Sequence, residues 1–304
     1  MAETKNTKNE KNSVWRNFLK SEFFYHYKNN LPAIIGSILV LIAILVAVFG
    51  KFLAPQNPYD LTQIDLMDSY LPPAWSDGGS MKFLLGTDNQ GRDILSAIIY
   101  GSVSSLTIGL VGMLASCLIG TTLGLIAGYF GGKVDSVIMR IADIQLSFPS
   151  MLIALFIMSV FGRGIDKLLI ALTMVGWVKY ARTVRGETLS VRNKEYVEAA
   201  RTIGLPNHRI ILKHVMPNVV TSIIVLATIQ VGDFILTEAT LSFLGVGVPI
   251  TEPSLGLLVK TGFDVLFSGL WWASVFPGLY IMLVVFGINL LGDFLRDELN
   301  PNLK

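Results

Sequence analysis

Residues 31–49 run without an ionised side chain, and stretches of the same kind recur along most of the chain. A membrane-crossing helix needs about 20 predominantly apolar residues, so 31–49 predicts a first span. Residues 94–132 are also uncharged but too long for one crossing. They predict an approach helix at the outer surface over 94–105, followed by a second span over 106–130. Residues 144–162 predict a third span, 215–232 the start of a fifth, and 271–292 a sixth. The fourth segment, 168–178, is short. It crosses only if extended to Ile165 and Ala181, with Lys167 and Lys179 carrying their ammonium groups out to the two interfaces. The competing reading is a half-inserted helix, which leaves five spans.

Charge in the loops decides between these. Lys5, Lys8, Lys11, Arg16, Lys20 and Lys28 precede the first span. Between the fourth and fifth lie Lys179, Arg182, Arg185, Arg192, Lys194, Arg201, Arg209 and Lys213, whereas 51–93 is rich in aspartate. Positive loops stay in the cytoplasm, so both basic segments belong on one side and the fourth segment must cross. The expected fold is an all-α integral membrane protein with six transmembrane helices and both termini cytoplasmic. Its parts are a cytoplasmic tail and interfacial helix over 1–30, a first transmembrane helix over 31–53, and an extracytoplasmic loop over 54–93. A five-helix core over 94–304 carries a cytoplasmic loop at 179–217. Residues 1–13 are polar and predict a disordered tail. The basic start followed by an apolar run resembles a secretory signal, but the run is too long, so it is a retained anchor.

Composition agrees: of 304 residues, 52% are hydrophobic and 15% charged, with a mean hydropathy of +0.58. Soluble domains carry about 25% charge, so a soluble enzyme is excluded. A net charge of +2 gives no case for nucleic acid. The single cysteine, Cys117, has no intrachain disulfide partner and reads as a packed helix residue. His208 and His214 are not spaced as a helical zinc pair, and neither a phosphate-binding G-x-x-x-x-G-K-[ST] loop nor a G-x-S-x-G elbow is present. Glycines at 128–132 suit close helix packing or a turn at a helix end.

The informative stretch is 196–218. It predicts a short helix, a break at Gly204-Leu205-Pro206, and a second helix with Asn207 as its N-cap running to Pro217. Two short helices set at an angle would present a compact knob to another protein. The alternative is a basic loop resting on lipid phosphates.

Glu198-Ala199-Ala200, Gly204 and Pro217 at this spacing resemble the EAA loop of bacterial ABC importer permeases. Four further segments resemble the C-type permease subunits of the dipeptide, oligopeptide and nickel branch. They begin at Leu85-Gly-Thr-Asp, Ile141-Ala-Asp-Ile, Glu238-Ala-Thr-Leu and Asn289-Leu-Leu-Gly. Leu255 before Gly256 departs from that branch, where a tryptophan is expected. The resemblance runs from about residue 30 to the C-terminus and implies a type I importer in the bacterial cytoplasmic membrane. This chain would be a transport subunit rather than an enzyme. It would pair with a homologous second permease subunit, two ATP-binding subunits beneath and an extracytoplasmic substrate-binding protein, within membrane lipid. ATP and magnesium would be used by the partners, with no cofactor bound by this chain. Glu195, Glu198, Ala199, Ala200, Gly204 and Pro217 would form the ATPase-coupling loop, with the two alanines giving a small face that fits an ATPase groove. The implied cargo is a di- or oligopeptide, with nickel complexes or glutathione as alternatives. An ion-coupled secondary transporter would be expected to show inverted repeats or paired broken helices, and none is evident in the sequence.

Three smaller features complete the reading. Asp88, Arg92 and Asp93 either face a binding protein or do local turn and cap work, with Arg92 pairing Asp93 or Asp88 capping a helix from Gly91. Asp233 and Glu238, near the outer end of the fifth span, either line the path and gate or are solvated above the bilayer. Arg140 and Asp143 are spaced as an interfacial ion pair.

Overall fold

A computed structural model describes residues 22–60 and 62–299; the expected disordered tail lies outside these residues. The described chain is helical, with no strand. Helix α1 (Glu22–Asn29) leads into α2 (Leu31–Leu53), whose start is capped by the Asn30 side chain accepting from the Ala33 N–H at 2.9 Å. Phe23 and Tyr27 of α1 meet Phe294 edge-on, which fastens the start of the described chain to its end. Helix α2 turns Ala33, Gly36, Ala43 and Gly50 inward and leaves Ile38, Leu41, Ile42 and Val48 exposed. Small residues inside and large aliphatics outside are what a helix bordering lipid requires.

Helix α3 (Ile94–Phe130) is unbroken over 37 residues, about 55 Å at 1.5 Å per residue. The expected approach helix is therefore its first three turns. They pack on the core, with Ser96, Ala97, Ser102 and Ser105 buried. No proline or glycine turn separates 94–105 from the rest, so nothing ends the helix there. It ends at Gly131, whose φ of +66° a residue with a side chain rarely adopts.

The expected third span is not one straight helix. Helices α4 (Gly132–Leu146) and α5 (Ser150–Phe161) meet at 88°. Pro149 supplies the corner: it lacks an N–H to continue α4, and its ring drives Phe148 out of the helical region. Helix α6 (Ile165–Val191) runs 27 residues, well past the predicted limit at Ala181. Residues 179–191 are thus helix rather than loop, and Lys179 sits mid-helix. Its ammonium group bonds Asp233.

Helix α7 (Glu195–Thr202) precedes α8 (Asn207–Phe243). The second loop helix was expected to stop at Pro217, but the helix continues through it. A π turn over Ile211–Val215, in which the Met216 N–H reaches the Ile211 carbonyl, loosens the ladder where the proline would otherwise clash. The predicted N-cap also moves: Pro206 occupies that position, and the Asn207 side chain accepts from the Tyr129 hydroxyl at 2.9 Å. Helices α9 (Leu255–Phe263) and α10 (Trp272–Leu299) complete the order. Leu255 is buried at the start of α9, against Gly101 of α3.

Among the described residues α2, α3, α8 and α10 are long and apolar enough to cross a membrane, and the bent α4–α5 pair makes a fifth span if taken as one. Helix α6 has the length, but carries Asp166, Lys167, Lys179, Arg182 and Arg185. The α3–α6 pair is the spine of the fold. A Cβ on Gly124 would fall 2.6 Å from the Ala181 carbonyl oxygen, and one on Gly128 would fall 2.6 Å from Thr188 Cβ. On Gly120 it would collide with the Trp177 carbonyl oxygen. Glycines four apart let two backbones approach closely, so this spacing fixes how α3 and α6 pack.

Candidate functional site

The short helix α7 stands on a buried apolar base. Val197 and Ala200 point inward and join Val184, Val191, Ile210 and Val215 in one cluster. Its end is a complete Schellman turn: the Gly204 N–H donates to the Arg201 carbonyl at 2.9 Å and the Leu205 N–H to the Ala200 carbonyl at 3.1 Å. Gly204 has φ +84°, the left-handed value that this turn requires. Tyr129, at the end of α3, ties the unit to the spine. Its ring lies 5.2 Å under the Arg201 guanidinium and its hydroxyl donates to Asn207. Arg192 adds a hydrogen bond to the Gly128 carbonyl at 2.8 Å. The sequence reading missed Tyr129, since an aromatic at a helix end carries no local signal of a partner 78 positions away.

The opposite face of α7 is open. Glu195, Tyr196, Glu198, Ala199 and Ile203 are exposed, Ile203 at 79%. Ala200 is buried, so of the two alanines only Ala199 can meet a partner. Glu195 and Glu198, near the start of the helix, suit the positive end of its dipole. Pro217 is exposed but lies nearly three turns into α8, beyond the knob itself. The arrangement is a rigid pedestal carrying a small amphipathic helix, with no bond-making chemistry in it.

The second candidate region lies along α6. Lys179 Nζ contacts Asp233 Oδ2 at 2.8 Å, Arg182 contacts Asp143 at 2.7 Å, and Arg185 grips Asp135 through two nitrogens. Asp143 therefore pairs across helices with Arg182, not with Arg140. Asp233 and Glu238, read together from the sequence, have opposite surroundings. Asp233 is half-exposed and borders a cavity of about 480 Å³ between α4, α5, α6 and α8. Glu238 is fully buried, and Ser105, Ser242 and Ser254 donate to its carboxylate at 2.7, 2.8 and 2.7 Å. Those serines come from α3, α8 and the N-cap of α9, so Glu238 fastens three helices together and is closed off from solvent.

The outer segment is also turned inward. Arg92 Nε donates to Asp88 Oδ2 at 2.6 Å, with both side chains 8% exposed. Asp93, not Asp88, caps the helix: its Oδ2 accepts from the Ser96 N–H and hydroxyl at 2.8 and 2.6 Å. Burial raises the Asp93 pKa against the lowering effect of these bonds, and pushes the neighbouring Tyr59 phenol up to about 12. Asp88, Arg92 and Asp93 are a buried latch between loop and core and offer no surface to a partner. Among the described residues no group of three or more His, Cys, Asp or Glu side chains could hold a metal ion.

Comparison with known proteins adds a second line. Residues 120–304 match the family described as binding-protein-dependent transport system inner membrane component, and residues 13–73 match the N-terminal TM domain of oligopeptide transport permease C. The dipeptide transport system permease protein DppC of Escherichia coli K12 is 42% identical, over 93% of this chain and 93% of its own length. The protein of the same name from Haemophilus influenzae is 37% identical over 93% and 95%. The oligopeptide transport system permease protein OppC of Bacillus subtilis is 36% identical over 96% and 91%. In fold, the chain is similar to a solved chain of the MetNI methionine ABC transporter in an inward-facing conformation. The TM-score is 0.54 at 19% identity, over 67% of this chain and 96% of the other.

Proposed function

This chain belongs to the binding-protein-dependent transport system inner membrane component family, and from that premise we propose that it is the permease subunit of an ATP-driven peptide importer, coupled to its ATPases through α7. Its relatives are dipeptide and oligopeptide permease subunits of ABC importers, and its apolar helices make it a multi-pass protein of the bacterial inner membrane. In this reading α2, α3, α4–α5, α6, α8 and α10 make six crossings, with both termini inside. A homologous permease completes the pathway, two ATPase subunits dock below and bind ATP and magnesium, and a binding protein delivers cargo from outside.

The observation that carries the coupling role is the two-faced α7. A helix of eight residues is too short to be stable alone in water, so its order comes from the buried base under Val197 and Ala200. The exposed Tyr196, Ala199 and Ile203 are then held in fixed positions and left uncovered. A push on such a unit travels into α8 without loss in a flexible linker, since only Ile203 to Pro206 separate the two helices.

The test is uptake into proteoliposomes holding this chain, its sister permease and both ATPases, with the loaded binding protein outside. The expected result is accumulation of a labelled dipeptide that requires ATP and stops without the binding protein. Uptake that persists without the ATPases and follows an ion gradient would replace this reading with a secondary transporter.

A further inference from the structure

The cavity beside Asp233 is bordered by Lys179 of α6, Asp233, Gln230 and Thr237 of α8, Gln145 of α4 and Ser150 of α5. At about 480 Å³ it falls within the size range of small-molecule sites. Asp233 lies ten residues before the end of α8 at Phe243, about 15 Å at 1.5 Å per residue, within a helix long and apolar enough to cross a membrane. Charges at that depth are costly unless paired, and both here are paired and yet half-open to the cavity.

Lys179 and Asp233 are the only ionisable residues among those lining the cavity, so it carries one positive and one negative charge and no net charge. Gln230 is 4% exposed and makes no side-chain hydrogen bond among the described residues, so it brings unused donors and an acceptor to the cavity. Gln145 is already committed. Its amide nitrogen donates to the Met174 and Val175 carbonyls and its oxygen accepts from Trp177 Nε1, which fixes the wall where α4 ends before the Pro149 corner.

We propose that the Lys179–Asp233 pair is a subsite for zwitterions on the transport path, at which a short peptide exchanges partners with the pair. The peptide's ammonium group takes Asp233 and its carboxylate takes Lys179, while Gln230 bonds the backbone amide between them. Every charge stays paired through the exchange, so passage avoids exposing a bare ion within the membrane. A site built for a metal cation or a net anion would instead collect charges of one sign. The exchange also releases the bridge between α6 and α8, so occupancy and helix separation go together. This inference rests on the peptide-importer reading.

The test compares wild type with the doubly neutral K179M/D233N in the same proteoliposomes, using Ala-Ala as the probe. The readout is peptide taken up per ATP hydrolysed. Removing both charges leaves no unpaired ion, so a pair with a purely structural role is replaced at little cost. The expected result is a fall of at least tenfold in the ratio for the double variant, with D233E alone keeping most of the wild-type ratio and D233N alone losing it. A ratio within twofold of wild type, or loss of the assembled complex in the double variant, overturns the proposal. Absence of ATP-dependent Ala-Ala uptake in wild type is a different outcome: it defeats the peptide-importer reading and this site with it.

Discussion

Replacing Gly120 with leucine is expected to prevent normal packing of α3 on α6 and to lower the thermal midpoint of the detergent-purified complex by about 2–5 °C. A side chain at this position meets the Trp177 carbonyl oxygen, Tyr180 Cβ at 2.6 Å and the Ala181 nitrogen at 3.1 Å. These are backbone and near-backbone atoms of a buried helix, so the neighbour cannot swing aside as a flexible side chain would. Overpacking of this kind costs about 1–3 kcal/mol. Two positions earlier, Leu118 is 71% exposed, and Leu118→Ala is expected to change stability by no more than about 0.5 kcal/mol. Equal midpoints for Gly120→Leu and Leu118→Ala would show that α3 and α6 do not pack through their glycines.

The second large effect is functional. Gly204→Val and Glu198→Lys are expected to cut uptake at least tenfold, with ATPase stimulation by loaded binding protein falling alongside. At Gly204 a Cβ has nothing within 4 Å, so the penalty is torsional, about 1–2 kcal/mol for forcing an L-residue to φ +84°. Relieving it rotates α7 on its base. Gly204→Asn, which tolerates the left-handed region better, is expected to keep most activity. Glu198 is exposed, so lysine there leaves the base intact while reversing the charge offered to a partner and opposing the helix dipole. Insertion is untouched by either change, because it depends on the hydrophobic runs. If valine and asparagine at 204 behave alike, the turn does not set the docking angle.

What the sequence made legible follows local rules. The Gly204 turn was readable because only a few residue types tolerate its backbone, and the Schellman bonds follow from that one position. The 94–130 run was readable as membrane-embedded, but its division in two was wrong because hydropathy does not record where a helix is packed. Phe148-Pro149 held the signal for the α4–α5 corner, yet the surrounding apolar run outweighed it. Side-chain pairing was the least legible. Arg92 could have chosen Asp93 or Asp88, and only the loop path places Asp88 against it. Asp233 and Glu238 look equivalent in the chain, while their fates depend on Lys179 from one helix and three serines from elsewhere. The partner of Lys179 is equally hidden, because the helix around it runs well past its apolar stretch.

The central claim is that the open face of α7 meets an ATPase. With Cys117 replaced by alanine, Ala199→Cys can be labelled with a benzophenone maleimide in the assembled complex and irradiated. The label is expected to yield a covalent adduct between this chain and an ATPase subunit, while the same label at Leu118→Cys yields none. An assembled complex that hydrolyses ATP but gives no ATPase adduct from position 199 would contradict it.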